Sequence, residues 1–315
     1  MNCRWPITDC RLPKPKGLTG IFSIAIRHSP FGNAFTLIEL LVVISILGIL
    51  AALAVPAIKN FGKSDTAITA TQQMLRDVAR ARQLAIADHT TVYMVFVPTN
   101  FWNDSINGTW PNTWWNNLTP AQQTAVTNLC DKQLSGYTFV AYGALGDQPG
   151  RHQWHYLAPW QNLPEGEFIS YWKFYQPATS PPFVFKDLIP PGNTFTIYQF
   201  NYTNNIPFPI DTVQTNPAAM SDLPSLPYIA FNYLGQLVSP ASPYLDSDSL
   251  GSGIDIPLTR GNVMPAVNIA NGKAFMLQAP QISETPPGNS TNISYNVIHV
   301  DALTGRATLE FHKVQ

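Results

Sequence analysis

Residues Phe35 to Ile58 form a run of 24 residues in which Glu39 is the one charged side chain. At about 1.5 Å rise per residue a helix of that length extends roughly 36 Å, enough to cross a hydrocarbon core of about 30 Å. The run is too long for the apolar part of an ordinary secretory signal peptide, and no small-residue cleavage site follows it. Between a buried helix of a soluble protein and a membrane helix, the length favours the membrane.

Charge placement supports that orientation. The 315-residue chain has a formal net charge of −1 and only 12% charged residues, which gives no basic field for a nucleic acid. Residues 1–34, however, hold Arg4, Arg11, Lys14, Lys16 and Arg27 against the single acid Asp9. A basic stretch before an apolar segment is the expected cytoplasmic flank. Cys3 and Cys10 lie in that stretch and Cys130 is alone beyond it, so the part placed outside the cytoplasm has no internal disulfide. Cys130 reads as a small buried apolar residue.

Two residues make the apolar run more than an anchor. An acidic side chain costs about 2.5–3.5 kcal/mol at a bilayer centre and less near an end, and Glu39 has no Lys or Arg within reach on its own helix. Its partner must come from elsewhere. Pro56 removes one helical hydrogen bond, so a kink or local melting is expected near residues 52–56.

The stretch Ala34-Phe35-Thr36-Leu37-Ile38-Glu39-Leu40-Leu41 resembles the class III signal of type IV pilins and type II secretion pseudopilins. The resemblance implies cleavage between Ala34 and Phe35 by a membrane-bound prepilin peptidase, followed by methylation of the new Phe35 amine. It makes Glu39 the fifth mature residue and an assembly residue: the amine of one subunit neutralises the carboxylate of its neighbour. Pro56 matches the helix-breaking proline of many members. Ala34 stands where the family usually has Gly, and Gly32 lies two residues earlier.

Beyond a weak spot at Gly62-Lys63-Ser64 the pattern predicts a second, amphipathic helical stretch to Asp88, with Ile68, Leu75, Val78, Ala79, Ala85 and Ile86 on its apolar stripe. Arg80 and Arg82 read as a solvated face. After residue 89 come 23 of the 28 prolines, with strands expected at 91–97, 137–142, 194–200, 228–233, 274–278, 295–300 and 306–311. The last two form a hairpin about the turn Asp301-Ala302-Leu303-Thr304-Gly305. The passage from Ala79–Ala87 into Thr91–Val97, the segment Ile229–Gly235 and the closing hairpin together resemble the H-type minor pseudopilins.

Residues 98–227 carry two aromatic patches, Phe101-Trp102, Trp110, Trp114-Trp115 and Trp154-His155-Tyr156, Trp160, Tyr171-Trp172-Lys173-Phe174-Tyr175. They read as the small core of a loop-rich insertion, with sugar or protein binding as the alternative. His152 and His155 have ligand-like spacing but lack a third partner. Asp246, Asp248 and Asp255 sit in a segment that begins like a calcium loop without its closing Glu; a solvated turn is the main reading and calcium the alternative. No phosphate-binding glycine loop and no local nucleophile motif is present.

The expected fold is α+β: a long N-terminal helix packed on an antiparallel, β-rich C-terminal domain. Its parts are a basic leader (1–34), a transmembrane or filament-core helix (35–58), an amphipathic continuation (59–88) and a β-rich periplasmic domain (89–315) with a Trp/Pro-rich insertion at about 98–227. The expected function is a non-enzymatic minor pseudopilin in a type II secretion or pilus-like filament. Its partners would be the prepilin peptidase, other pilins and the inner membrane, with no cofactor and no nucleic acid. The alternatives are a major pilin or a membrane-anchored glycan-binding module. Mass spectrometry of the processed protein should find an N-terminus at Phe35 carrying one added methyl group; a mature chain that starts elsewhere removes the Phe35–Glu39 pairing.

Overall fold

The computed structural model describes residues 36–97, 99, 117–144, 146–147, 153–175, 183–186, 194–212, 223–238, 253–265, 268–270, 273–275, 280–291 and 295–312. The chain divides into two units, Met1–Val55 and Pro56–Gln315. The fold is α+β, with an N-terminal helix followed by a mostly antiparallel β-rich domain.

Helix α1 runs over 51 residues, Leu37–Ala87. It passes without interruption through Pro56 and through Gly62-Lys63-Ser64, so neither the melting nor the weak spot expected there interrupts the helix. A proline deletes one hydrogen bond of the ladder, and the bonds on either side can keep the backbone helical. The buried face of the second half is Ala70, Met74, Val78, Ala81 and Ala85, at four- and three-residue steps. This differs from the expected stripe: Val78 and Ala85 belong to it, but Ile68, Ala79 and Ile86 are exposed. The reason is steric. Ala70, Ala81 and Ala85 let the helix lie close against the sheet, while Met74 and Val78 fill the space between them and Leu75 packs at the margin.

The first sheet has five strands in the order Leu237–Val238, Leu226–Phe231, Thr91–Phe96, Gly136–Tyr142, Trp154–Tyr156, with Gln161–Asn162 and Asn201–Thr203 added at its margins. Thr91 lies opposite Tyr142 and Phe96 opposite Tyr137; on the other side Val92 lies opposite Phe231. The alternation sends Val92, Met94, Phe96, Phe139, Ala141, Ile229 and Phe231 to the α1 side. Val95, Val97, Val140, Tyr228 and Ala230 face the opposite way, where Val126, Leu129, Cys130, Ile206 and Phe208 cover them. Both faces are therefore buried. Described residues between 118 and 130 and between 206 and 208 form much of that second layer, and Gly136–Tyr142, from the same stretch of chain, is an interior strand of the sheet. A short helix α2, Pro120–Asn128, belongs to that layer; Thr119 accepts from the Gln122 backbone and the Gln122 side chain accepts from Thr119, a complete capping box.

A second antiparallel sheet orders Gln281–Glu284, Gly253–Met264, Tyr295–Asp301 and Ala307–His312, with Glu167–Ile169 also paired to the long strand. Its inward residues Ile256, Leu258, Ile298 and Val300 join the α1-side core. The 12-residue strand Gly253–Met264 was not expected, because Pro257 near its middle reads as a breaker. Here the Pro257 carbonyl still accepts from the Ser170 N–H at 3.0 Å. The hairpin expected at the C-terminus is present, with Tyr295 opposite His312 and Val300 opposite Ala307.

Two turns read separately in the sequence meet in space. A Cβ on Gly305 would lie 2.0 Å from the Gly235 carbonyl oxygen, and both glycines have positive φ (61° and 79°). The Leu237 N–H donates to the Ala302 carbonyl at 3.0 Å, and Arg82 Nε donates to the Thr304 carbonyl at 2.7 Å. Arg82 thus ties α1 to both turns, and Arg80 lies over the Phe139 ring at 5.5 Å. Neither guanidinium is merely solvated.

One polar link crosses the helix–sheet core. The Tyr137 hydroxyl donates to Asp77 Oδ2 at 2.5 Å, and Gln73 Nε2 donates to the Tyr137 oxygen at 2.8 Å. Burial, then the Asp77 carboxylate, hold the Tyr137 phenol well above its ordinary range, which keeps it a donor. Tyr137→Phe leaves Asp77 without this donor at a site that is almost closed to water. It should cost about 1–3 kcal/mol, read as a lower urea midpoint with an unchanged slope.

Candidate assembly site on the N-terminal helix

The first described residue, Thr36, closes the start of α1. Its carbonyl accepts from Glu39 N–H at 3.0 Å and from Leu40 N–H at 3.1 Å, and its Oγ1 accepts from Glu39 N–H at 3.3 Å. A threonine one residue before the helix is a favoured cap, because its hydroxyl oxygen satisfies a donor that the helix itself leaves unpaired. Thr36 and Glu39 have the spacing of a capping box, a signal that sequence reasoning missed although it was legible. Glu39 therefore stands in the first turn, where the helix dipole favours a negative charge.

Everything around Glu39 is apolar. Each large apolar side chain from Leu37 to Leu50 is exposed, from 45% at Val43 to 82% at Leu37. Because these positions run around the whole helix, there is no polar face to meet water. Ser45 alone interrupts the apolar surface, and its hydroxyl is turned back to the Leu41 carbonyl at 2.8 Å. Such a surface requires an apolar environment, such as lipid or other helices. Within that environment an ionised carboxylate requires a cation or donors.

Among the described residues no helix is long and apolar enough to cross a membrane. The apolar run read from the sequence extends beyond that set: Phe35 lies outside it, and so do the side chains from Leu53 to Ile58, Pro56 included. Ala34 also lies outside the described residues.

The remaining candidates separate clearly. Asp246 and Asp248 lie outside the described residues, as do His152 and the first aromatic patch. Asp255 is described, and its Oδ1 is 2.7 Å from His299 Nδ1 on the neighbouring strand. His155 Nε2 is 3.1 Å from both Asp147 carboxylate oxygens. Among the described residues no three His, Cys, Asp or Glu side chains are grouped to hold a metal ion.

The second aromatic patch is largely structural. Trp172 is fully buried against Phe185, Ile197 and Val297. Tyr156 and Trp160 pack on the second core layer and donate to the carbonyls of Pro207 (2.6 Å) and Pro209 (2.9 Å). Their polar ends are thus satisfied inside the protein.

Comparison with known proteins places one feature. The prokaryotic N-terminal methylation motif matches residues 33–55, which brackets Ala34, Phe35, Thr36 and Glu39. The match supports a pilin-like subunit. No curated protein and no solved structure matches the chain.

The Asp255 carboxylate, first among several causes, raises the pKa of His299 above its ordinary value. A raised histidine pKa contributes stability that is fully present below the unfolded-state value of 6.5 and is lost as pH rises through the folded-state value. Asp255→Asn should flatten this pH dependence, as measured by thermal melts from about pH 6 to 9.

Proposed function

We propose that the chain is a structural, non-enzymatic minor pseudopilin, a subunit of a type II secretion or type IV pilus-like filament. The observation that carries the reading is Glu39, set in the first turn of α1 among exposed apolar side chains that run around the helix from Leu37 to Leu50, inside a match to the N-terminal methylation motif. A helix of this kind is suited first to a membrane and then to a bundle of like helices, and its carboxylate is satisfied only when a cation arrives from outside.

In this reading the leader, 1–34, stays in the cytoplasm and the prepilin peptidase cuts between Ala34 and Phe35. Cleavage creates the cation that the apolar run 35–58 otherwise lacks. The Phe35 amine of one subunit meets Glu39 of its neighbour, so the buried charge is neutralised in the filament and not before. Thr36 keeps the start of the helix ordered between these two groups. The β-rich domain lies in the periplasm on the outside of the filament, and the chain begins its life in the inner membrane. The large second layer built by residues 98–227 favours a subunit present in few copies over a repeating one, because a repeating subunit packs better when compact.

Glu39→Ala and Glu39→Gln test the assembly role. Both should insert into the membrane as the parent does and be processed normally. Both should be missing from purified filaments, because neither can neutralise an incoming amine. Incorporation at parental levels in immunoblots of sheared filaments would remove the charge-pair mechanism.

A further inference from the structure

A cavity of about 570 Å³ lies between the segment 162–168 and the far end of the long strand, residues 261–264, with Asp131 and Ser135 also in its wall. Its charged lining residues are Asp131, Glu165 and Glu167, and among the described residues no Lys or Arg lines it. Asn162, Asn262 and Ser135 add neutral oxygen acceptors, and Val263 and Met264 add apolar surface.

Glu167 sets this cavity apart from an ordinary acidic surface. It is only 6% exposed, and its Oε1 has no hydrogen-bond partner. Arg260 sits opposite it across the strand pair, yet no ion pair joins the two among the described residues, and Arg260 Nη2 is itself buried without a partner. A carboxylate oxygen that is shut away from water and left unpaired is costly unless something supplies a donor. Glu167 N–H donates to the Pro164 carbonyl at 3.2 Å and Gly261 N–H to the Gly166 carbonyl at 2.9 Å, which pins the strand end beside the cavity.

We propose that this cavity binds an aliphatic primary ammonium group, with Glu167 as its counter-ion. The chemistry follows from the lining. A divalent metal needs several carboxylates or imidazoles converging on one point, and among the described residues none do. An ammonium needs one carboxylate and one or two neutral acceptors for its three donors, with apolar surface along its methylene stem. That ammonium belongs either to a small free amine or to a lysine side chain of a partner protein. Burial pushes the Glu167 carboxyl up to about 7, with Arg260 opposing. The site therefore exchanges a proton for the ligand near neutral pH.

The test is calorimetric titration of the full-length chain in detergent micelles with cadaverine, with a lysine tripeptide blocked at both ends, and with 1,5-pentanediol. Binding of cadaverine or of the tripeptide, with the diol silent, supports the proposal; which amine binds more tightly identifies the source. Between pH 6 and pH 8 the affinity should rise roughly tenfold, as the carboxyl passes from mostly protonated to mostly ionised. Asp131 and Glu165 line the same cavity, so Glu167→Gln assigns the effect: it should weaken binding at pH 8 by a similar factor and abolish the pH dependence. The pH series uses the parent protein and stands even if the variant fails to fold. Absence of amine binding, equal binding of the diol, a flat pH profile, or unchanged affinity in a folded Glu167→Gln protein each overturns the proposal.

Discussion

The seat of the second half of α1 on the first sheet is the constraint on which the domain depends. Ala70, Met74, Val78, Ala81 and Ala85 are all fully buried, and three of the five are alanines. A row of small side chains brings the helix backbone close to the strands and lets Met94, Phe96, Phe139 and Phe231 fill the space between. Burying a side chain the size of Met or Val contributes roughly 1.5–3 kcal/mol, so Met74 and Val78 carry much of the helix's share. Asp77 is a buried charged residue beside this face. It is tolerated because Tyr137 and Gln73 complete a hydrogen-bonded chain around it.

From that seat the rest of the packing follows. The second sheet shares the same core through Ile256, Leu258, Ile298 and Val300, and Arg82 fastens the helix to the turns at Thr304-Gly305 and Gly235. The opposite face of the first sheet would be an apolar surface open to water without the layer built from residues 118–130 and 206–208. Residues that look like an insertion along the chain are, in the fold, what allows the central strands to be apolar on both sides.

The first half of α1 obeys a different rule. From Leu37 to Leu50 its large apolar side chains run around the helix and each is exposed. One continuous helix therefore contains a stretch seated on the domain core and a stretch whose described apolar side chains are exposed. Glu39 sharpens the second requirement, since an apolar surround raises the cost of an unpaired carboxylate.

The N-terminal features were legible in the sequence because each rests on a local pattern. The apolar run, Glu39 within it, the strand at residues 91–96 and the closing hairpin with its Gly305 turn need only periodicity, length and turn chemistry to be read. Pattern alone did not place what depends on partners distant in the chain. Of the expected helix stripe Val78 and Ala85 are buried and Leu75 packs against the core, whereas Ile68, Ala79 and Ile86 are exposed, because only the sheet decides which positions are covered. The strand Gly253–Met264 was hidden by Pro257 and Asp255, whose cost is met by neighbours at Ser170 and His299. Thus the sequence by itself determined that this chain has a motif-bearing apolar helix with one acid, a local property of consecutive residues. Tertiary structure alone decided which helix face is covered, that Asp255 is held by His299, and that Glu167 is closed into a cavity, because burial is set by residues that meet only after folding.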